Sequence, residues 1–127
     1  MLTARRHELE KAVASEPLNY DLWADYCTLE EQSNVDVARS RSIFERAVLN
    51  VPPVAEKRFW KRYMYLWLNY AVFEEVTAEQ PDKALEVYQR AINLVPHAEF
   101  TFAKLWIQYG MFLVRQKELT KARQVFG

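Results

Sequence analysis

Between Arg58 and Glu75 the chain reads RFWKRYMYLWLNYAVFEE, and Trp60, Tyr63, Met64, Trp67, Tyr70, Ala71 and Glu74 recur at steps of three and four. That spacing gathers them on one face of an α-helix. Val, Ile and Thr are scarce in the run and neither Gly nor Pro interrupts it, so local propensity agrees with the periodicity. Each large ring on that face hides on the order of 150–250 Å² when buried, so the pattern requires other elements to cover it.

The remainder of the chain supplies them as repeats. Aligning on Pro17, Pro52 and Pro96 places a large apolar residue, Leu9, Phe44 or Tyr88, eight positions before each proline. Glu10, Glu45 or Gln89 follows, then Lys11, Arg46 or Arg90, then Ala12, Ala47 or Ala91, then Val13, Val48 or Ile92. A second signature, Trp-x-x-Tyr, falls at Trp23/Tyr26, Trp67/Tyr70 and Trp106/Tyr109. Each Trp precedes the aromatic of a later segment (Phe44, Tyr88, Phe126) by 20 or 21 residues, and the Trp-to-Trp steps are 44 and 39. Two helix types, A with the Trp and B with the proline-terminated stripe, therefore alternate with a period typical of an all-α solenoid of antiparallel helix pairs.

The pattern predicts a B helix over 1–16, stopped by Pro17, which lacks an N–H and disfavours helix in the residue before it. Asn19 or Asp21 can cap an A helix over 20–32, which Ser33-Asn34 breaks. A B helix over Val35–Val51 carries Ser40, Ile43, Phe44, Ala47, Val48 and Val51 on one stripe and ends at Pro52-Pro53. The central A helix is expected over Ala55–Thr77. A B helix over Pro81–Val95 follows, with proline in its first turn, where no donor is lost. A third A helix is expected over Phe100–Gln116, and a last B helix from Thr120 to Gly127. The domain reading is one solenoid over 1–127: the B helix of a preceding repeat (1–16), repeats over 19–51 and 55–95, and a truncated repeat over 100–127. An unpaired first helix and an unfinished last one are the expected marks of a piece of a longer solenoid, whose ends would self-associate.

Composition narrows the classes. Of 127 residues 50% are hydrophobic, enough for one core, and 17 basic residues balance 17 acidic ones, so no global attraction to nucleic acid or anionic membrane arises. Cys27 stands alone, which excludes an internal disulfide and fits a reducing compartment. There is no secretory leader and no apolar run long enough to span a bilayer, so no membrane role is expected. His7, His97 and Cys27 lack metal-ligand spacing, and neither a Gly-rich phosphate loop nor a nucleophile elbow is present. The expectation is a non-enzymatic chain without cofactor or metal. His97, after Pro96, can cap a helix end.

Three groups of residues invite a functional reading. The Trp-x-x-Tyr pairs could stack single-stranded bases, but helical spacing matched by B-helix aromatics favours inter-helix core. Glu30 and Glu74 lie one turn beyond their Tyr, and as buried carboxylates could do acid–base work. Because they recur with Arg46 and Arg90 on the facing helix type, structural ion pairs explain them better. Lys57, Arg58, Lys61 and Arg62, interleaved with Phe59, Trp60 and Tyr63, are the candidate contact for a partner protein or for RNA; the competing reading is a solvated helix start.

These features resemble the half-a-tetratricopeptide (HAT) repeat. Its A-helix pattern Trp-x-x-Tyr-x-x-x-Glu is met at Trp23-Tyr26-Glu30 and Trp67-Tyr70-Glu74. Its B-helix pattern, Ala-Arg-x-(Ile/Val)-(Tyr/Phe)-Glu-Arg-Ala, is met by Ser40–Ala47 and Ala84–Ala91, with Ser40 and Leu85 as departures; Leu113 replaces the Glu of the third A helix. The runs Asn50–Glu75 and Leu94–Leu119, linkers included, are further similar to the crooked-neck family of HAT-repeat splicing factors. That resemblance implies a nuclear protein–protein scaffold of the spliceosome with partners in the NineTeen complex. Alternatives are an RNA-binding module using 57–63, a HAT scaffold of another RNA-processing complex, and a subunit of a helical enzyme such as a prenyltransferase.

Overall fold

The structure, a computed structural model, describes residues 2–33, 36–53, 56–96 and 102–126. The expected helix starts at Val35, Ala55 and Phe100, and the capping role of His97, lie outside them. The elements are α1 (Leu2–Ser15), α2 (Tyr20–Ser33), α3 (Val37–Val48), α4 (Lys57–Val72), a π-turn (Phe73–Thr77), α5 (Pro81–Leu94) and α6 (Ala103–Phe126). Local chemistry sets most boundaries. α1 stops just before Pro17. The Asn19 carbonyl accepts from the Leu22 and Trp23 amides and starts α2. The Asp36 carboxylate accepts from the Ala38 amide at 2.9 Å and caps α3. Pro81 opens α5.

The described chain is an all-α helical repeat solenoid in which each helix packs on its neighbours in sequence, while the A helices α2, α4 and α6 also touch one another in a row. All seven positions of the expected α4 stripe are buried. Leu66, Leu68 and Phe73, outside that stripe, are buried as well, because α4 has α2 and α6 on its flanks besides α3 and α5 beneath it. Phe44 of α3 stacks on Tyr70 with centroids 5.0 Å apart and meets Phe73 at 5.2 Å. One repeat later Tyr88 of α5 meets Tyr109 at 5.3 Å and Phe112 at 5.2 Å. The same three-ring contact therefore seals two successive junctions.

Two expectations change. The central helix does reach Thr77, but its last turn is π: the Ala78 amide donates to Phe73 and the Gln80 amide to Glu74, at 2.9 and 2.8 Å. Glu79, at φ 54°, then takes the left-handed geometry that ends a helix. The expected break before a last B helix at Thr120 is absent, since α6 runs unbroken from Ala103 to Phe126. Gln116-Lys117-Glu118-Leu119 are strong helix formers with no Gly or Pro among them, so nothing local stops the helix.

Trp67, 3% exposed, sits where α4 meets α5. Trp67→Ala is expected to cost about 3–5 kcal/mol in chemical denaturation; a variant with the parent's unfolding midpoint would contradict this placement.

Candidate interaction surface

The signature residues form two repeating constellations. In the first, Glu10 of α1 accepts a bidentate pair from Arg46 of α3 at 2.6 and 2.9 Å, and also the Tyr26 hydroxyl at 2.7 Å. The Arg46 guanidinium lies over the Trp23 ring, 5.5 Å from its centroid, and Trp23 stacks with Tyr26. One repeat on, Glu45 of α3 accepts Arg90 of α5 at 2.7 and 3.0 Å and the Tyr70 hydroxyl at 2.5 Å. Arg90 lies 5.0 Å over Trp67, which stacks with Tyr70. Each arginine thus joins successive B helices across the A helix between them.

The second constellation is buried. Glu30, 2% exposed, accepts Arg6 at 2.5 and 3.2 Å and Arg39 at 2.7 Å. Glu74, 1% exposed, accepts a bidentate pair from Arg41, both bonds at 2.8 Å. The expected pairing of Glu30 and Glu74 with Arg46 and Arg90 is therefore corrected: Glu30 is held by Arg6 and Arg39, and Glu74 by Arg41, three positions before Phe44. The reason is rotational. Five residues of helix turn a side chain by about 140°, so Arg41 faces the following A helix while Arg46 faces back toward α1.

The third repeat departs at both ends of this contact. In register, Leu85 stands where Arg41 stands and Leu113 where Glu74 stands. Leu113 is 43% exposed, so the buried ion pair has no counterpart at this junction. Trp106 departs too. It is 44% exposed, against 4% for Trp23 and 3% for Trp67, so it does not belong with the sealed core where the repeat pattern put it. Trp23 and Trp67 are roofed by arginines of the next B helix, whereas α6 continues straight. Tyr109 is half-buried and packs on Tyr88.

The basic cluster at the start of α4 is split by the fold. Arg58 donates to Glu56 at 2.8 Å and lies over Phe59, and Arg62 pairs with Asp21 of α2. Lys57 and Lys61 instead face a hollow between α4 and α6, whose rim also carries Lys104 and Tyr65. The composition reading missed Lys104 and Tyr65. The signal was there in the spacing of Lys57, Lys61, Tyr65 and Leu68, a second helical face beside the aromatic stripe. Cys27 is buried, which pushes its thiol well above the usual range and makes it inert.

Both constellations make measurable demands. Glu74→Leu alone is expected to destabilise by about 3–5 kcal/mol, with most of the loss restored in Arg41→Leu/Glu74→Leu; a double-variant loss equal to the sum of the Arg41→Leu and Glu74→Leu losses would show that the pair is not coupled. The Arg46 hydrogen bonds hold the Glu10 carboxyl down at about 2 from its usual 4.5, despite partial burial. A carboxyl depressed on folding stabilises above its unfolded pKa and loses that contribution as pH falls through the folded one. Thermal melts should therefore show stability declining from about pH 4.5 toward 2, with a shallower decline in Glu10→Gln. Identical slopes would remove Glu10 from the acid transition.

Comparison with known proteins agrees with this geometry. Residues 5–127 match the model of the pre-mRNA-splicing factor Syf1/CNRKL1 N-terminal HAT repeat. The chain is 48% identical over 127 residues to human crooked neck-like protein 1, covering all of this chain and 15% of that protein. It is 45% identical over its whole length to Drosophila melanogaster protein crooked neck and to the Schizosaccharomyces pombe pre-mRNA-splicing factor cwf4, spanning 18% and 19% of them. The chain thus spans less than a fifth of the relatives it matches, and it belongs to the Syf1/crooked-neck family of pre-mRNA-splicing-factor HAT repeats.

Proposed function

We propose that this chain is a protein–protein scaffold segment of a nuclear pre-mRNA splicing factor, acting in spliceosome assembly and activation with partners in the NineTeen complex. The observation that carries the reading is the family match over residues 5–127, which includes the linkers as well as the repeat signatures. The side-chain geometry supports it. Glu30 and Glu74, the carboxylates best placed for chemistry, are each held by arginine in contacts that join helices. A stack built this way offers an extended row of A helices on which partner helices or disordered segments dock. We read 1–127 as one continuous solenoid, with repeat units over 19–51 and 55–95 on either side of the Pro52-Pro53 linker.

Direct RNA binding by the cluster at 57–63 is less well supported, because Arg58 and Arg62 already face Glu56 and Asp21. No helix among the described residues is long and apolar enough to cross a membrane. The deciding experiment is an affinity pull-down from nuclear extract, with and without nuclease, read by mass spectrometry. Spliceosomal proteins retained after nuclease are the expected result. Loss of recovery on nuclease treatment would transfer the role to RNA, and recovery of neither class would refute a binding role for this segment.

A further inference from the structure

The face of α4 turned toward α6 carries a hollow of about 260 Å³ with a floor of Met64, Leu68 and Phe102, under a rim of Lys57, Lys61 and Lys104. The floor residues are 2%, 5% and 8% exposed, so they are held by the core and the hollow above them is preformed. Among the described residues no carboxylate lines it, and none of the three lysines makes an ion pair. The contrast with the preceding groove is direct: there Arg58 and Arg62 lie beside Leu18 and Phe59, but each is already matched by Glu56 or Asp21.

We propose that this hollow receives a segment of a partner protein in which one large apolar side chain is flanked by aspartates or glutamates. The inference deepens the scaffold reading and rests on it. The volume lies below the about 300–1,000 Å³ of small-molecule sites and suits a single side-chain anchor. Anchors of that kind dominate interface energies, while surrounding charges set encounter rate and specificity. Three ammonium groups that no carboxylate among the described residues matches, set around an apolar floor, call for carboxylates around an apolar residue. Single-stranded RNA fits less well. Tyr65 offers the exposed ring of this rim, and Lys104 Nζ already lies over it, 4.7 Å from its centroid, leaving that face closed to a stacked base.

The test is fluorescence anisotropy on the whole chain with a fluorescein-labelled peptide carrying one Phe between runs of Asp and Glu. Parallel probes are the peptide with Phe replaced by Ala, the peptide with its acids replaced by Asn and Gln, and a labelled U-rich RNA. The acidic Phe peptide is expected to bind best, with affinity falling as salt rises. Each altered peptide, and the variant Lys57→Glu/Lys61→Glu, should weaken binding by about tenfold or more. Both lysines are exposed, and acids near the start of α4 favour its dipole, so the variant keeps its fold; an unchanged melt verifies this. A Lys57→Gln/Lys61→Gln/Lys104→Gln variant repeats the test without charge reversal. Tighter binding of the RNA, binding indifferent to the lysine variants, or no peptide binding at millimolar concentration would each overturn the inference. Those outcomes leave the pull-down unaffected: spliceosomal proteins still recovered by Lys57→Glu/Lys61→Glu would mean that the scaffold reading stands and the hollow is not its contact.

Discussion

A stack of helix pairs has no hydrogen-bonded ladder to fix one pair against the next, so side chains must set the register. Here that work falls to arginine–carboxylate forks bridging helices far apart in sequence. Arg41 reaches Glu74, and Arg46 and Arg90 reach back past an A helix to Glu10 and Glu45. The stacked rings, Phe44 on Tyr70 and Tyr88 on Tyr109, add cohesion at the junctions but would tolerate small slides. A planar fork facing a planar carboxylate does not, because both of its bonds fail when one helix shifts by a fraction of a turn. The hydrophobic contacts thus provide cohesion and the forks provide alignment.

Much of this was legible in the sequence. The α4 stripe, the two helix types and the junction aromatics follow from apolar periodicity, which is strong wherever a helix has one buried face. The ion-pair partners were not legible, since periodicity reveals that Glu and Arg recur but not which way a helix turns them. Arg41 and Arg46 are both arginines of one B-helix motif, and only packing against α4 on one side and α1 on the other distinguishes them. Leu66 and Leu68 escaped the stripe for a related reason: an A helix flanked by two others is buried over more than one face. Continuity of α6 past Gln116 follows local propensity, which favours helix there, against the break that repeat alignment predicts.

The third repeat shows how the alignment rule can be relaxed. Leu85 and Leu113 depart together from the positions that hold Arg41 and Glu74, and Gln89 takes the place held by Glu10 and Glu45. Charges have thus left both constellations in the same repeat. With Leu113 43% exposed where Glu74 is buried, neither position holds a buried charge at this junction. The junction around α6 consequently depends on ring packing and on the peripheral Arg115–Glu75 fork, which ties α6 to the π-turn.

The same accounting of charges separates internal structure from surface available to others. An arginine already facing a carboxylate gains little from a second one, because its field is locally cancelled and its donors are occupied. Arg58, Arg62, Arg46 and Arg90 fall in that class, however prominent they look in a list of basic residues. Lys57, Lys61 and Lys104 face no carboxylate among the described residues, and they converge from two helices on one apolar hollow. Positive charge is dense along 57–62, but the half of it that remains available is defined by the pairing of Arg58 with Glu56 and of Arg62 with Asp21 of α2. Recognition on such a surface is therefore governed by which cations the fold leaves unmatched, rather than by how many the sequence contains.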